Sequence, residues 1–76
     1  MKEIRLENGE VLVMSEPTVR VLKNADKKES DMEKAIYMIA TLTNKTENEI
    51  EELGLKDFME LQKALSGFLE VAGVIA

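Results

Sequence analysis

The chain has no cysteine, no histidine and no tryptophan. Without cysteine, neither a disulfide nor a thiolate metal site can reinforce the core. Without histidine, the commonest metal ligand and the usual general base at neutral pH are missing. Ser-His-Asp and Cys-His arrangements are therefore excluded. The four glycines, Gly9, Gly54, Gly67 and Gly73, stand apart, so there is no Gly-rich phosphate loop. No apolar run approaches the length of a membrane span. The first residues alternate and carry charge, unlike a signal peptide. A soluble, intracellular chain with no membrane partner is expected. Positive charge is scarce as well. The net charge is −5, and an acidic surface repels phosphate backbones, so no nucleic-acid partner is expected. Lys23, Lys27 and Lys28 form the densest basic group and read as the solvated end of a helix. A helix-turn-helix regulator needs a basic recognition helix, and the later helices offer mainly Lys56 and Lys63 among many acids.

What remains is a short acidic chain with surplus apolar residues. Its 76 residues make one domain, residues 1–76. A domain of this size buries only roughly 60–65% of its unfolded surface, so self-association is a natural supplement. The organising stretch is Met32-Glu-Lys-Ala-Ile-Tyr-Met-Ile-Ala-Thr-Leu. Met32, Ala35, Ile36, Ile39 and Leu42 share one helix face, and Met38 and Ala40 widen it. A helix apolar over most of its circumference is covered from more than one side. Ser30, with Glu33 three residues on, has the spacing of a capping box.

Around this central helix the rest falls into order. Residues 2–14 read as a β-hairpin about Asn8-Gly9, the strongest signal for a two-residue type I′ turn. That turn pairs Leu6 with Val11 and Ile4 with Val13. It sets Ile4, Leu6, Val11 and Val13 on the inner face and leaves Leu12 and Met14 outside. Ser15 is the expected cap of a first helix, residues 16–26, with Glu16 and Pro17 in its first turn and Thr18, Val21, Leu22 and Ala25 on one face. The central helix spans 31–43. A second capping box, Thr46 to Glu49, opens a short helix over 46–53, which Gly54 is expected to stop. Its glutamates read as a solvated face, because the ordered pattern of a calcium loop is absent. The last helix, 55–72, carries a stripe of Phe58, Leu61, Leu65, Phe68 and Ala72, flanked by Leu55, Met59 and Leu69. Gly67 inside it costs roughly 1 kcal/mol relative to alanine, which suggests a close contact or a weak point. The predicted fold is α+β: an N-terminal β-hairpin packed on a small bundle of three to four helices.

No catalytic constellation, cofactor motif or metal-ligand cluster emerges, and no enzyme is expected. An acyl carrier protein has this size and charge, but it needs its serine in an Asp-Ser-Leu context. Here Ser30 lies between Glu29 and Asp31, and it reads as a cap. The distinctive feature is apolar surface beyond what a small core absorbs. Leu12, Met14, Met38, Met59, Val71, Val74 and Ile75 are the candidate partner contacts. Methionine suits surfaces that accept varied apolar helices.

The succession of blocks has a likeness. A hairpin ends in Glu16-Pro17-Thr18-Val19-Arg20. A central helix runs into Ala40-Thr-Leu-Thr-Asn. Thr46-Glu-Asn-Glu-Ile-Glu-Glu-Leu follows, then Leu55-Lys-Asp-Phe-Met-Glu-Leu-Gln-Lys-Ala-Leu-Ser-Gly-Phe-Leu. Over nearly its whole length the chain resembles the tail assembly chaperones of contractile-tailed phages of the Mu and P2 kind. The lysine-rich Asn24-Ala-Asp-Lys-Lys-Glu linker departs from that pattern. The resemblance implies a non-catalytic protein of the bacterial host cytoplasm, absent from the mature virion. It implies binding to the apolar, helical tape measure protein, and help in recruiting tail tube subunits. A homo-oligomer is expected, joined through the outer hairpin face or the last helix. The competing reading is a small dimerising structural or regulatory module, from which gene neighbourhood discriminates.

Overall fold

A computed structural model describes residues 1–71, with side chains through 69. Strands β1 (Lys2–Arg5) and β2 (Val11–Met14) form an antiparallel hairpin, followed by α1 (Val19–Ala25), α2 (Asp31–Thr43), α3 (Glu47–Glu51) and α4 (Leu55–Val71). This is the expected α+β architecture. The radius of gyration, 11.6 Å, matches the roughly 11 Å of a compact chain of this length.

The hairpin register differs by one residue from the expected one. Ile4 pairs with Leu12, Glu3 with Val13 and Lys2 with Met14. The cause is the turn. A type I′ turn needs positive φ at both Asn8 and Gly9, but in the hairpin only Gly9 has it, at 91°. The Gly9 N–H donates to the Leu6 carbonyl (3.0 Å), and the Leu6 N–H donates to the Glu10 carbonyl (2.8 Å). Asn8 Oδ1 accepts from the Glu10 N–H instead (2.8 Å). Leu6 and Glu10 thus face each other across a three-residue loop closed by a glycine bulge.

A slip of one residue flips every side chain of β2 to the other face. Leu12 and Met14 are buried beside Ile4 and Leu6, and Val11 and Val13 face outward. Packing favours this arrangement. Leucine and methionine each put about one more carbon-sized group into the core than valine, at roughly 0.8 kcal/mol apiece. The loop tip is also held from outside the hairpin. The Glu7 N–H donates to Asp57 Oδ1 in the first turn of α4 (3.0 Å), and Lys56 pairs with the Glu7 carboxylate (3.3 Å).

Residues 15–18 are not helical, and α1 starts three residues later than expected. Proline at 17 biases Glu16 towards extended backbone. The Ser15 N–H is used by the Leu42 carbonyl at the end of α2 (2.9 Å). Thr18, not Ser15, caps α1, its Oγ1 accepting from the Val21 N–H (3.2 Å).

Helix α2 is the central element. It packs against α1, α3, α4 and β2, and Ala35, Met38, Ile39, Ala40 and Leu42 are all buried on it. Ser30 caps it by accepting from the Glu33 N–H (3.1 Å). Its C-terminus closes on Asn44, whose φ of 60° is left-handed. The Lys45 N–H reaches back to the Ala40 carbonyl (2.9 Å) and the Asn44 N–H to that of Thr41 (3.4 Å), the Schellman pattern. Thr43 is buried but satisfied, its hydroxyl donating to the Ile39 carbonyl (2.7 Å).

Helix α3 carries the full capping box between Thr46 and Glu49. Gly54 does not stop it in a left-handed turn. The helix closes at Glu52 in right-handed backbone, and the Gly54 carbonyl accepts from the Phe58 N–H (3.0 Å), opening α4. Phe58, Leu61, Ala64 and Leu65 are the buried stripe of α4, with Phe68 and Leu69 packed against the core. Gly67 makes no close contact, since a Cβ added there meets nothing within 4 Å. Ala72 lies outside the described residues.

Candidate functional site

The largest apolar side chains left in solvent near one another come from the starts of two helices. Met32 stands in the first turn of α2 and Leu55 is the first residue of α4. Side chains lean towards a helix N-terminus, so residues in a first turn have no earlier turn of their own helix to cover them. Met32 is 54% exposed and Leu55 71%. With Ile36, Leu53 and Phe58 they line a groove of about 240 Å³ between α2, α3 and α4, whose one charged lining residue is Glu51. Met59, 57% exposed, lies one turn on from Leu55 along α4 and extends the apolar track. Enclosing a small ligand takes roughly 300–1,000 Å³. This groove is smaller and open, a shape for a few side chains of another chain.

A second apolar patch lies on the outer face of the hairpin. Val11 and Val13 are 44% and 43% exposed, opposite Arg5 and Glu3 respectively.

The helices that form the groove are acidic at their starts. Asp31 and Glu33 stand in the first turn of α2, and Glu47 and Glu51 lie one turn apart on α3, where Glu51 lines the groove. Lys28 pairs with Glu47 (3.9 Å) and lies over the Tyr37 ring (5.2 Å). Glu49 has a lowered pKa, because its carboxylate accepts from the Thr46 N–H within the capping box, with a further hydrogen bond to the Thr46 side chain. It is a structural carboxylate. Among the described residues no group of three or more acidic side chains is placed to hold a metal ion.

The seven expected partner contacts separate sharply. Leu12, Met14 and Met38 are buried in the core, the first two because of the register and Met38 because α2 is covered on several sides. They are not on the surface of this chain. Met59 is exposed, next to the groove. The side chain of Val71, and all of Val74 and Ile75, lie outside the described residues. Met32, expected in the core, is instead exposed. Leu55, read only as a flank of the α4 stripe, is a principal groove residue, and Val11 and Val13 replace Leu12 and Met14 on the outer hairpin face. Position relative to the helix start, rather than period, marked Met32 and Leu55. The larger volume of Leu12 and Met14 marked the register.

The family described as phage tail assembly chaperone proteins, E, or 41 or 14, matches residues 6–70. The chain belongs to this family of tail assembly chaperones. No curated protein and no solved structure gave a match. Among the described residues no helix is long and apolar enough to cross a membrane.

Proposed function

We propose that the chain binds the tape measure protein of a phage tail and promotes assembly of the tail tube around it. The groove between α2, α3 and α4 receives apolar faces of tape measure helices, an amphipathic-helix-in-groove mode of recognition. The observation that carries this reading is the exposure of Met32 and Leu55 in one groove, with exposed Met59 one turn on from Leu55, in a chain whose family acts in tail assembly.

The magnitudes fit a transient holder. Covering three half-exposed side chains contributes roughly 3–5 kcal/mol, about half or more of the 1.5–3 kcal/mol for fully burying each. A total of ~4 kcal/mol corresponds to only about millimolar affinity, before the cost of association. Useful affinity therefore comes from several copies along one long polypeptide. Val11 and Val13 offer a face on which copies meet, and tail tube subunits then displace the weakly held copies in the host cytoplasm.

The test is co-expression with the tape measure protein and affinity purification. Wild type brings the tape measure protein down in soluble form. Combined Met32→Ser, Leu55→Ser and Met59→Ser keeps the far-UV spectrum and loses it. If wild type brings down none, the function is wrong; if the triple variant retains it fully, the groove is the wrong site.

A further inference from the structure

We infer that the groove between α2, α3 and α4 selects an amphipathic helix whose apolar stripe is flanked by lysine or arginine. This rests on the reading above, that the groove receives a helix of another polypeptide, and adds the charge such a helix carries. The floor is neutral: Met32, Ile36, Leu53, Leu55 and Phe58. The one charged lining residue, Glu51, is acidic. In the chain, Glu33 follows Met32 in the first turn of α2, and Glu52 caps the end of α3 next to Glu51.

None of these three carboxylates takes part in the ion pairs found among the described residues, which are Lys28–Glu47, Lys45–Glu10 and Lys56–Glu7. Lys28 and Lys56 are partnered in this way; Lys34 on α2 and Lys63 on α4 take part in none of these pairs, but neither lines the groove. An apolar floor edged by the Glu51 carboxylate, which is in none of those pairs, on a chain of net charge −5, rewards a partner of opposite sign and speeds its encounter. A second copy docked groove to groove brings two Glu51 carboxylates together, which disfavours self-association through this face. Self-association then belongs to another face, and the groove stays open for its partner.

Two fluorescently labelled synthetic helical peptides test this, with identical leucine stripes flanked by lysine in one and by glutamate in the other. Anisotropy titrations use the full chain at low and at high salt. The lysine-flanked peptide binds roughly tenfold tighter or more, a difference of about 1.4 kcal/mol. Its affinity falls as salt rises. Combined Met32→Ser and Leu55→Ser removes its binding, and Glu51→Lys narrows the gap between the peptides.

Equal binding of both peptides, or binding of neither, overturns the inference. So does lysine-peptide binding that survives the double substitution, which marks mere attraction to an acidic surface. A concentration-dependent dimer abolished by Leu55→Ser assigns the groove to a second copy and also overturns it. If the tape measure protein co-purifies through the groove while the peptides bind equally, the charge selection fails and the proposed function stands. If the peptides discriminate while no tape measure protein is recovered, the groove chemistry stands and that function fails.

Discussion

Asn44 and Glu49 show how much of this small fold rests on the ends of its helices. Asn44 adopts left-handed backbone to close α2, a conformation that costs most residues roughly 1–2 kcal/mol and asparagine or glycine less. Asn44→Ala is expected to lower stability by about 1 kcal/mol, while Asn44→Gly leaves it unchanged or slightly raised; urea midpoints compare the two.

Glu49 works through charge. Its carboxyl lies below the ordinary value of 4.5 because it accepts from the Thr46 N–H and bonds the Thr46 hydroxyl. A carboxyl depressed by folding contributes stability that is complete above the unfolded-state pKa. That stability is lost as pH falls through the lower, folded-state pKa. Acidification below about 4.5 should therefore destabilise wild type more than Glu49→Gln. Thermal midpoints of both proteins across the acid range measure the difference, and parallel curves contradict it.

At the level of elements, the hairpin is the decisive case. The three-residue loop at Glu7, Asn8 and Gly9 sets which side of β2 is core. Met14 is fully buried, so Met14→Ala should cost roughly 2–5 kcal/mol, the range for large-to-alanine changes in cores. Val13→Ala, on the half-exposed face, should cost well under about 1 kcal/mol. The reverse order in denaturant unfolding would restore the two-residue turn. For the same reason Met14→Glu reports on folding, not on partner binding.

Across the whole molecule, two apolar surfaces lie on separate elements, one on the outer hairpin face and one between the three helices. They are expected to respond separately. On the proposal that copies meet through the outer hairpin face, wild type is larger than one chain in light scattering, and Val11→Lys with Val13→Lys should reduce that mass while leaving the chain's intrinsic fold intact. The groove substitutions should leave that mass unchanged. A wild type with the mass of one chain, or a larger mass that the valine changes leave unaltered, overturns self-association through the hairpin face.

Much of this was legible in residue order. The central role of α2, the caps Ser30 and Thr46, and the stripe of Phe58, Leu61 and Leu65 follow from spacings of three and four residues, and the family likeness from the succession of blocks. The start of α1 and the exposure of Met32 and Leu55 turn on local features that spacing does not read, a proline, a threonine cap and a place in the first turn; the hairpin register depends on neighbours distant in the chain. Nothing near Asn8 announces that the Glu7 N–H is held by Asp57, 50 residues away.

Helix positions and their inward faces were thus determined by the sequence itself, because i to i+3 and i+4 contacts are internal to one segment. Which apolar side chains stay in water was decided only when the segments packed. Leu12, Met14 and Met38 went inside, and Met32 and Leu55 remained out. Burial is a competition among all the apolar groups for one limited interior, and apolar periodicity does not carry its outcome.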